Sequence, residues 1–219
     1  MPLKPLRTKQ RFDTLKHNPK ALYLFCRDVL KAPWPEAEPY ILKDTNVAMH
    51  YAYYVKQKLW PELEKILYGT KDAKAATEYC TFNNVRWPEA EPFIVKDLDS
   101  AIIYLRMIKR AKWPELEQEI LKHKDQDNAL LYATSLRERV PALEPLFTEP
   151  GYIYAYIGDA LKQPWPEAEP TLLKDPKLAT LYAIDFKPKW PELENIIKNN
   201  PKYKHLWDVY TGKRSRFYI

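Results

Sequence analysis

The chain is poor in the residues from which many active sites and tight turns are built. Of 219 residues, four are glycine, two cysteine and four histidine. So few glycines argue against a β-rich fold with many hairpin turns and against a glycine-rich phosphate cradle. His17, His50, His123 and His205 include no i, i+4 pair, and no Cys-x-x-Cys occurs, so no zinc-binding motif is present. No metal and no cofactor are expected. No apolar run approaches the roughly 18 residues of a membrane span, and the start, Met1-Pro2-Leu3-Lys4-Pro5-Leu6-Arg7, is basic and polar rather than a secretory leader. The expectation is a soluble, cytoplasmic protein that does not engage a membrane.

Proline, by contrast, is abundant, with 20 residues, and aromatic side chains make up 14% of the chain. Trp-Pro-Glu occurs at Trp34, Trp60, Trp87, Trp113, Trp165 and Trp190, with gaps of 26, 27, 26, 52 and 25 residues. The long gap contains a decayed copy, Val140-Pro141-Ala142-Leu143-Glu144-Pro145. A period in this range implies a stacked array. The predicted fold is all-α, an α-solenoid of about seven 26-residue two-helix repeats with terminal caps. It is read as a single elongated domain over residues 1–219. An N-terminal cap covers 1–17, with a helix around Arg11 to Lys16. Seven repeats fill 18–199, and a capping helix with a basic tail covers 200–219.

One unit shows how the pattern makes helices. Asp175 is a good N-cap and Pro176 a good first helical residue. Leu178, Ala179, Tyr182 and Ala183 follow at helical spacing. The second helix starts at Trp190-Pro191, with Glu192 and Glu194 near the positive end of its dipole and Leu193, Ile196 and Ile197 on its apolar face. The copies at 35–39, 88–92 and 166–170 read Pro-Glu-Ala-Glu-Pro; their second proline removes another donor, so a 3₁₀ first turn is expected there.

Aligned on the Tyr-Ala step, one column reads Phe25, Tyr51, Tyr79, Tyr104, Tyr132, Tyr156, Tyr182 and then Trp207. These aromatics, and the tryptophans beside the same proline, recur with the period of the fold. They read as core bolts rather than as stacking platforms. Cys26 and Cys80 share a column two units apart. With units advancing about 10 Å each, the sulfurs should lie about 20 Å apart, beyond the roughly 7 Å Cα reach of a disulfide. Two reduced, buried thiols are expected.

The unit resembles the Trp-Pro-Glu-Ala-Glu-Pro repeat of uncharacterised proteins from tailed bacteriophages and large viruses. The resemblance rests on the six Trp-Pro-Glu steps, the Tyr-Ala columns and Lys43-Asp44, Lys96-Asp97 and Lys174-Asp175, and spans roughly residues 18–210. It implies a phage or viral origin, hence the host cytoplasm, and no assigned activity. The short helix pair with its Asp-Pro start is similar in architecture to the leucine-rich variant repeat and other α-solenoids. Units five and six depart most, with Val140 in place of Trp and with Gly151 and Gly158 in the first helix.

Function is sought where the units differ. Three residues beyond the aromatic column stand Asp28, Tyr54, Phe82, Met107, Ser135, Asp159 and Asp185. Tyr54, Phe82 and Met107 form an apolar stripe in an otherwise polar column, with Tyr53 beside it, and are the candidate protein-binding residues. The cluster Tyr152, Tyr154 and Tyr156 is a weaker candidate. The net charge of +6 belongs to the ends: residues 1–20 carry six basic against one acidic residue, and 187–219 eight against three, leaving the middle at −4. Gly212 marks a helix stop. Beyond it, Lys213, Arg214 and Arg216, followed by Phe217-Tyr218-Ile219, are the candidate contacts to a nucleic acid or an acidic partner. No catalytic constellation is recognised. The leading expectation is a non-enzymatic interaction protein with a macromolecular partner, protein ahead of nucleic acid. The alternative is nucleic-acid binding by the basic ends, and the third reading is a repeat-scaffold hydrolase or glycosylase.

Overall fold

The computed structural model describes residues 11–215 and Phe217. Among them every regular element is helical and no strand occurs. The chain divides after Lys109 into two compact units.

Helix starts follow the residues that cap them. The side chains of Asp44, Asp72, Asp97, Asp125 and Asp175 accept backbone N–H groups of the first turn, and Asn18 and Asn200 do the same. Each such cap contributes about 1 kcal/mol. Residues 11–15 are helical, and Phe12 packs edge-on against Trp34 and Tyr40, both at 5.3 Å.

The first helices come in two forms. Ala73–Asn83, Gln126–Leu136 and Pro176–Phe186 are continuous α-helices. The other four pass into π-helix, at Phe25–Leu30, Ala52–Lys56, Leu105–Lys109 and Ile157–Leu161. The chain length explains the choice. From the aromatic column to the next Trp-Pro position is eight residues in the continuous helices (79 to 87, 132 to 140, 182 to 190). It is nine in the others (25 to 34, 51 to 60, 104 to 113, 156 to 165). A one-residue insertion is absorbed by widening a turn from i+4 to i+5, so the following tryptophan is delivered despite the extra residue.

The second helices also divide by sequence. Where Leu follows Pro-Glu, an α-helix starts at once: Pro61–Thr70, Pro114–His123 and Pro191–Ile197. Where Pro-Glu-Ala-Glu-Pro stands, 3₁₀ turns form at Pro35–Ala37 and Pro166–Ala168 before four-residue α-helices. Around residue 89 the same i+3 pattern closes the turn, with Ala90 N–H donating to Trp87 O at 3.0 Å and Glu91 N–H to Pro88 O at 3.2 Å. The expected 3₁₀ character is therefore present in all three copies.

Scarce glycine has a visible consequence. Among the described residues eight that are not glycine, Lys31, Gln57, Lys71, Asn84, Arg110, Lys124, Arg137 and Lys162, adopt positive φ between 49° and 55°. They stand at helix C-termini, where glycine is the usual occupant. Six of the eight are Lys or Arg, whose charge suits the negative end of the helix dipole. Gly212 alone among the glycines has positive φ, at 74°, just beyond the helix Lys204–Tyr210, as its position as a helix stop requires.

Cys26 and Cys80 are free and fully buried. Burial raises both thiols to about 12, so they stay protonated and pack as small apolar groups.

Candidate interaction site

One set of recurring polar groups, the column tyrosines and the glutamates four residues past each Trp position, is bonded inside the scaffold. Trp34, Trp60, Trp113, Trp165 and Trp190 each head a helix without a side-chain cap, with φ −126°, ψ 92° at Trp60 for example. The N–H of each needs an acceptor. The tyrosine hydroxyl of the next first helix supplies one. Trp34, Trp60, Trp87, Trp113, Val140, Trp165 and Trp190 donate in turn to Tyr51, Tyr79, Tyr104, Tyr132, Tyr156, Tyr182 and Tyr210, at 2.8–3.2 Å. Each hydroxyl then reaches the glutamate four residues past the Trp position: Glu38, Glu64, Glu91, Glu117, Glu144, Glu169 and Glu194, at 2.6–3.3 Å. In a capping box the glutamate bonds the N-cap N–H directly; here a hydroxyl from another helix is inserted between them.

This geometry corrects one expectation. The eighth member of the aromatic column is Tyr210, not Trp207. Tyr210 carries the hydroxyl that Trp190 N–H and Glu194 require, while Trp207, one turn earlier, is half-buried. The chain runs 20 residues from Trp190 to Tyr210, against 16 to 19 in the earlier copies, because a 3₁₀ turn at Pro201–Tyr203 precedes the last helix.

Charges complete several bridges. Lys56 Nζ lies 2.7 Å from Glu38, and Lys109 Nζ 2.6 Å from Glu91, which also takes Arg86 Nε at 2.7 Å. Burial alone would raise the Glu91 carboxyl; the hydrogen bonds from Arg86 and Lys109 outweigh it and hold the group below the usual carboxylate range. Burial raises the bridging tyrosines, to about 12 at Tyr156 and Tyr182, so their hydroxyls remain donors at ordinary pH.

What the scaffold does not consume is an aromatic patch in the first compact unit. Tyr53, Tyr54 and Phe82 are 43, 53 and 38% exposed. Tyr53 meets Tyr54 at 4.7 Å with rings at 77°, and Phe82 at 5.6 Å. With Gln57 and Asn83 they line a groove of about 430 Å³. His50 forms one side of the patch, stacked on Tyr54 at 6.2 Å and 14°, and 6.0 Å from Phe82. Its Nδ1 donates to Asn46 O at 2.7 Å, which fixes the ring and leaves Nε2 free of that bond. A neighbouring hollow of about 340 Å³ shares Tyr54 and Gln57 and adds Arg27 and Lys31; Arg27 is already held by Asp28 at 2.7 and 2.9 Å.

Comparison with known protein families, curated proteins and solved structures yields no match.

Of the residues singled out from sequence, Tyr53, Tyr54 and Phe82 therefore converge. Met107 is exposed, as is Ile103 one turn before it, but it does not line the groove. His50, Gln57 and Asn83 were not singled out for this role. His50 and Gln57 lie four residues before and three after Tyr54, the spacing of neighbours on a helix face, which is the signal that could have found them. The tyrosine cluster near 154 disperses: Tyr156 is a fully buried bridge, and Tyr152 donates to Asp127 at 2.8 Å. In the tail, Lys213 and Arg214 are exposed, and both their N–H groups donate to Asp208 O. Arg214 Nε lies 3.9 Å from the Asp208 carboxylate. Arg216 lies outside the described residues. Among the described residues no group of three or more potential metal ligands occurs, and no helix is long and apolar enough to cross a membrane.

Proposed function

We propose that the chain is a non-enzymatic interaction protein built from seven two-helix repeats, a phage accessory protein that binds a host or phage protein through the groove of Tyr53, Tyr54 and Phe82. The observation that carries the reading is the exposure of these three rings, two of which, Tyr54 and Phe82, stand where other copies place Asp28, Ser135, Asp159 and Asp185. Rings with apolar bodies and polar tips are the side chains most used at protein interfaces. The internal use of the recurring glutamates and tyrosines supports a scaffold rather than a catalyst.

Capture from a bacterial lysate tests this. A protein retained by the parent chain after nuclease treatment, with little dependence on salt, and lost from Tyr54→Ala and Phe82→Ala, is the expected result. Loss of an interface aromatic typically costs about 2 kcal/mol or more, roughly thirtyfold in affinity. Capture that vanishes with nuclease, weakens steeply with salt and depends on Lys213 and Arg214 would instead assign the chain to nucleic acid.

A further inference from the structure

Trp87 is the one tryptophan of the six Trp-Pro-Glu steps that the scaffold leaves open. Trp34, Trp60, Trp113, Trp165 and Trp190 are at most 8% exposed, whereas Trp87 is half-buried. Trp87 has ring neighbours edge-on, Tyr79 at 6.0 Å and Phe93 at 6.4 Å, but it lacks the cation that two of the other tryptophans receive from just before them in the chain. Lys56 places its ammonium 4.7 Å from the centre of the Trp60 ring, and Lys187 lies 5.1 Å from that of Trp190. Trp34 is covered by Phe12 and Phe25, at 5.3 and 5.7 Å. Before Trp165 stands the buried Leu161. Before Trp87 the chain reads Asn83-Asn84. Asn83 turns back, its Nδ2 donating to Tyr79 O at 2.8 Å, and Asn84 is the left-handed helix cap at φ 49°. Neither carries a charge, and both are too short to lie over an indole.

The surroundings suit a cation from outside. Two hollows open at Trp87, of about 290 and 420 Å³, and both are lined by the exposed Glu89 and by Glu64, whose carboxylate also accepts the Tyr79 hydroxyl at 2.9 Å. The bases beside them are Arg86, held by Glu91, and Lys65. Tyr68, half exposed, forms a further wall and meets Phe93 at 6.0 Å. An indole face with carboxylates beside it binds an ammonium or guanidinium more strongly than either element alone.

We infer that Trp87, Tyr68, Glu64 and Glu89 form a seat for a lysine or arginine side chain of a partner protein, in the place that Lys56 and Lys187 fill for Trp60 and Trp190. The seat is independent of the Tyr53–Tyr54–Phe82 groove, and its test uses none of that groove's variants.

The test is an NMR titration of the full chain with an acetylated, amidated Gly-Arg-Gly tripeptide, against a Gly-Gln-Gly control at equal ionic strength. The indole N–H signal of Trp87 is assigned by its loss in Trp87→Phe. The arginine peptide is expected to move this signal saturably, while the signals of Trp60 and Trp190 stay in place. Asn84→Lys, which restores a lysine at the spacing of Lys187 from Trp190, should suppress the response. Glu89→Gln should weaken it several-fold. A Trp87 signal that moves no more than that of Trp60, that responds equally to the glutamine peptide, or that is unchanged by both Asn84→Lys and Glu89→Gln overturns the assignment.

Discussion

The helices Ala73–Asn83 and Gln126–Leu136 are built alike and used differently. Both have eleven residues, an aspartate cap (Asp72 and Asp125) and a left-handed stop (Asn84 and Arg137). Both carry a tyrosine, Tyr79 or Tyr132, that joins a tryptophan N–H to a glutamate. Among the positions at which they differ, two adjacent ones matter for the surface: Phe82-Asn83 in one and Ser135-Leu136 in the other. Phe82 enters the aromatic groove and Asn83 leaves Trp87 open, whereas Ser135 turns its hydroxyl back to Leu131 O. What the helices share holds the chain together, and where they differ, surface becomes available to a partner.

The largest expected effect tests the shared part. Tyr79→Phe and Tyr132→Phe keep the ring and remove the hydroxyl, leaving the Trp60 or Trp113 N–H without its acceptor in a buried site. Each should cost about 2 kcal/mol, read from the denaturant midpoint. The double variant should lose the sum of the two to within about 0.5 kcal/mol, as distant independent sites do. A cost at one tyrosine and none at the other would break the equivalence.

A smaller effect tests the part that differs. Phe82→Ser makes the first helix resemble the second at that position. Phe82 is 38% exposed, so losing its remaining burial should cost about 1 kcal/mol, less than either tyrosine hydroxyl. Thermal unfolding measures the cost. The same variant should lose the captured partner. If stability falls by more than the Tyr→Phe changes, Phe82 belongs to the core and the groove is not a free surface.

The contrast also marks how much was legible in the sequence. Helix starts were, because an Asp cap and a Trp-Pro step act locally, through a cap and a preset φ. So was the burial of five of the six tryptophans, since periodic residues meet periodic neighbours. The role of the column tyrosines was only half visible. Their apolar side follows from spacing, but the hydroxyl bridge joins residues 12 to 20 apart on different helices, and no local pattern reports it. That is why spacing alone points to Trp207 rather than Tyr210 as the last member. The π-turns were hidden for another reason. Their signal, nine residues in place of eight, is readable only once the buried tryptophan is known to be a fixed point. Tyr53, Tyr54 and Phe82 stood out because they broke a polar column. Asn83 did not, because a short polar residue before Trp87 gains meaning only from the ring it fails to cover.

The smallest expected effect concerns the two helix stops. Asn84 and Arg137 hold nearly the same left-handed backbone, φ 49° and 53°. Asparagine tolerates this region, its side chain bonding locally, while an ordinary side chain pays about 1–2 kcal/mol. Arg137 recovers part of that through its charge at the helix C-terminus. Replacement by glycine relieves the strain but adds roughly 0.4–1 kcal/mol of unfolded-state entropy. Arg137→Gly should therefore stabilise the protein by about 0.5 kcal/mol, while Asn84→Gly should be neutral or slightly destabilising. Paired thermal melts decide it. Equal responses at the two sites would mean that neither backbone is strained, and that the eight left-handed caps cost this glycine-poor chain nothing.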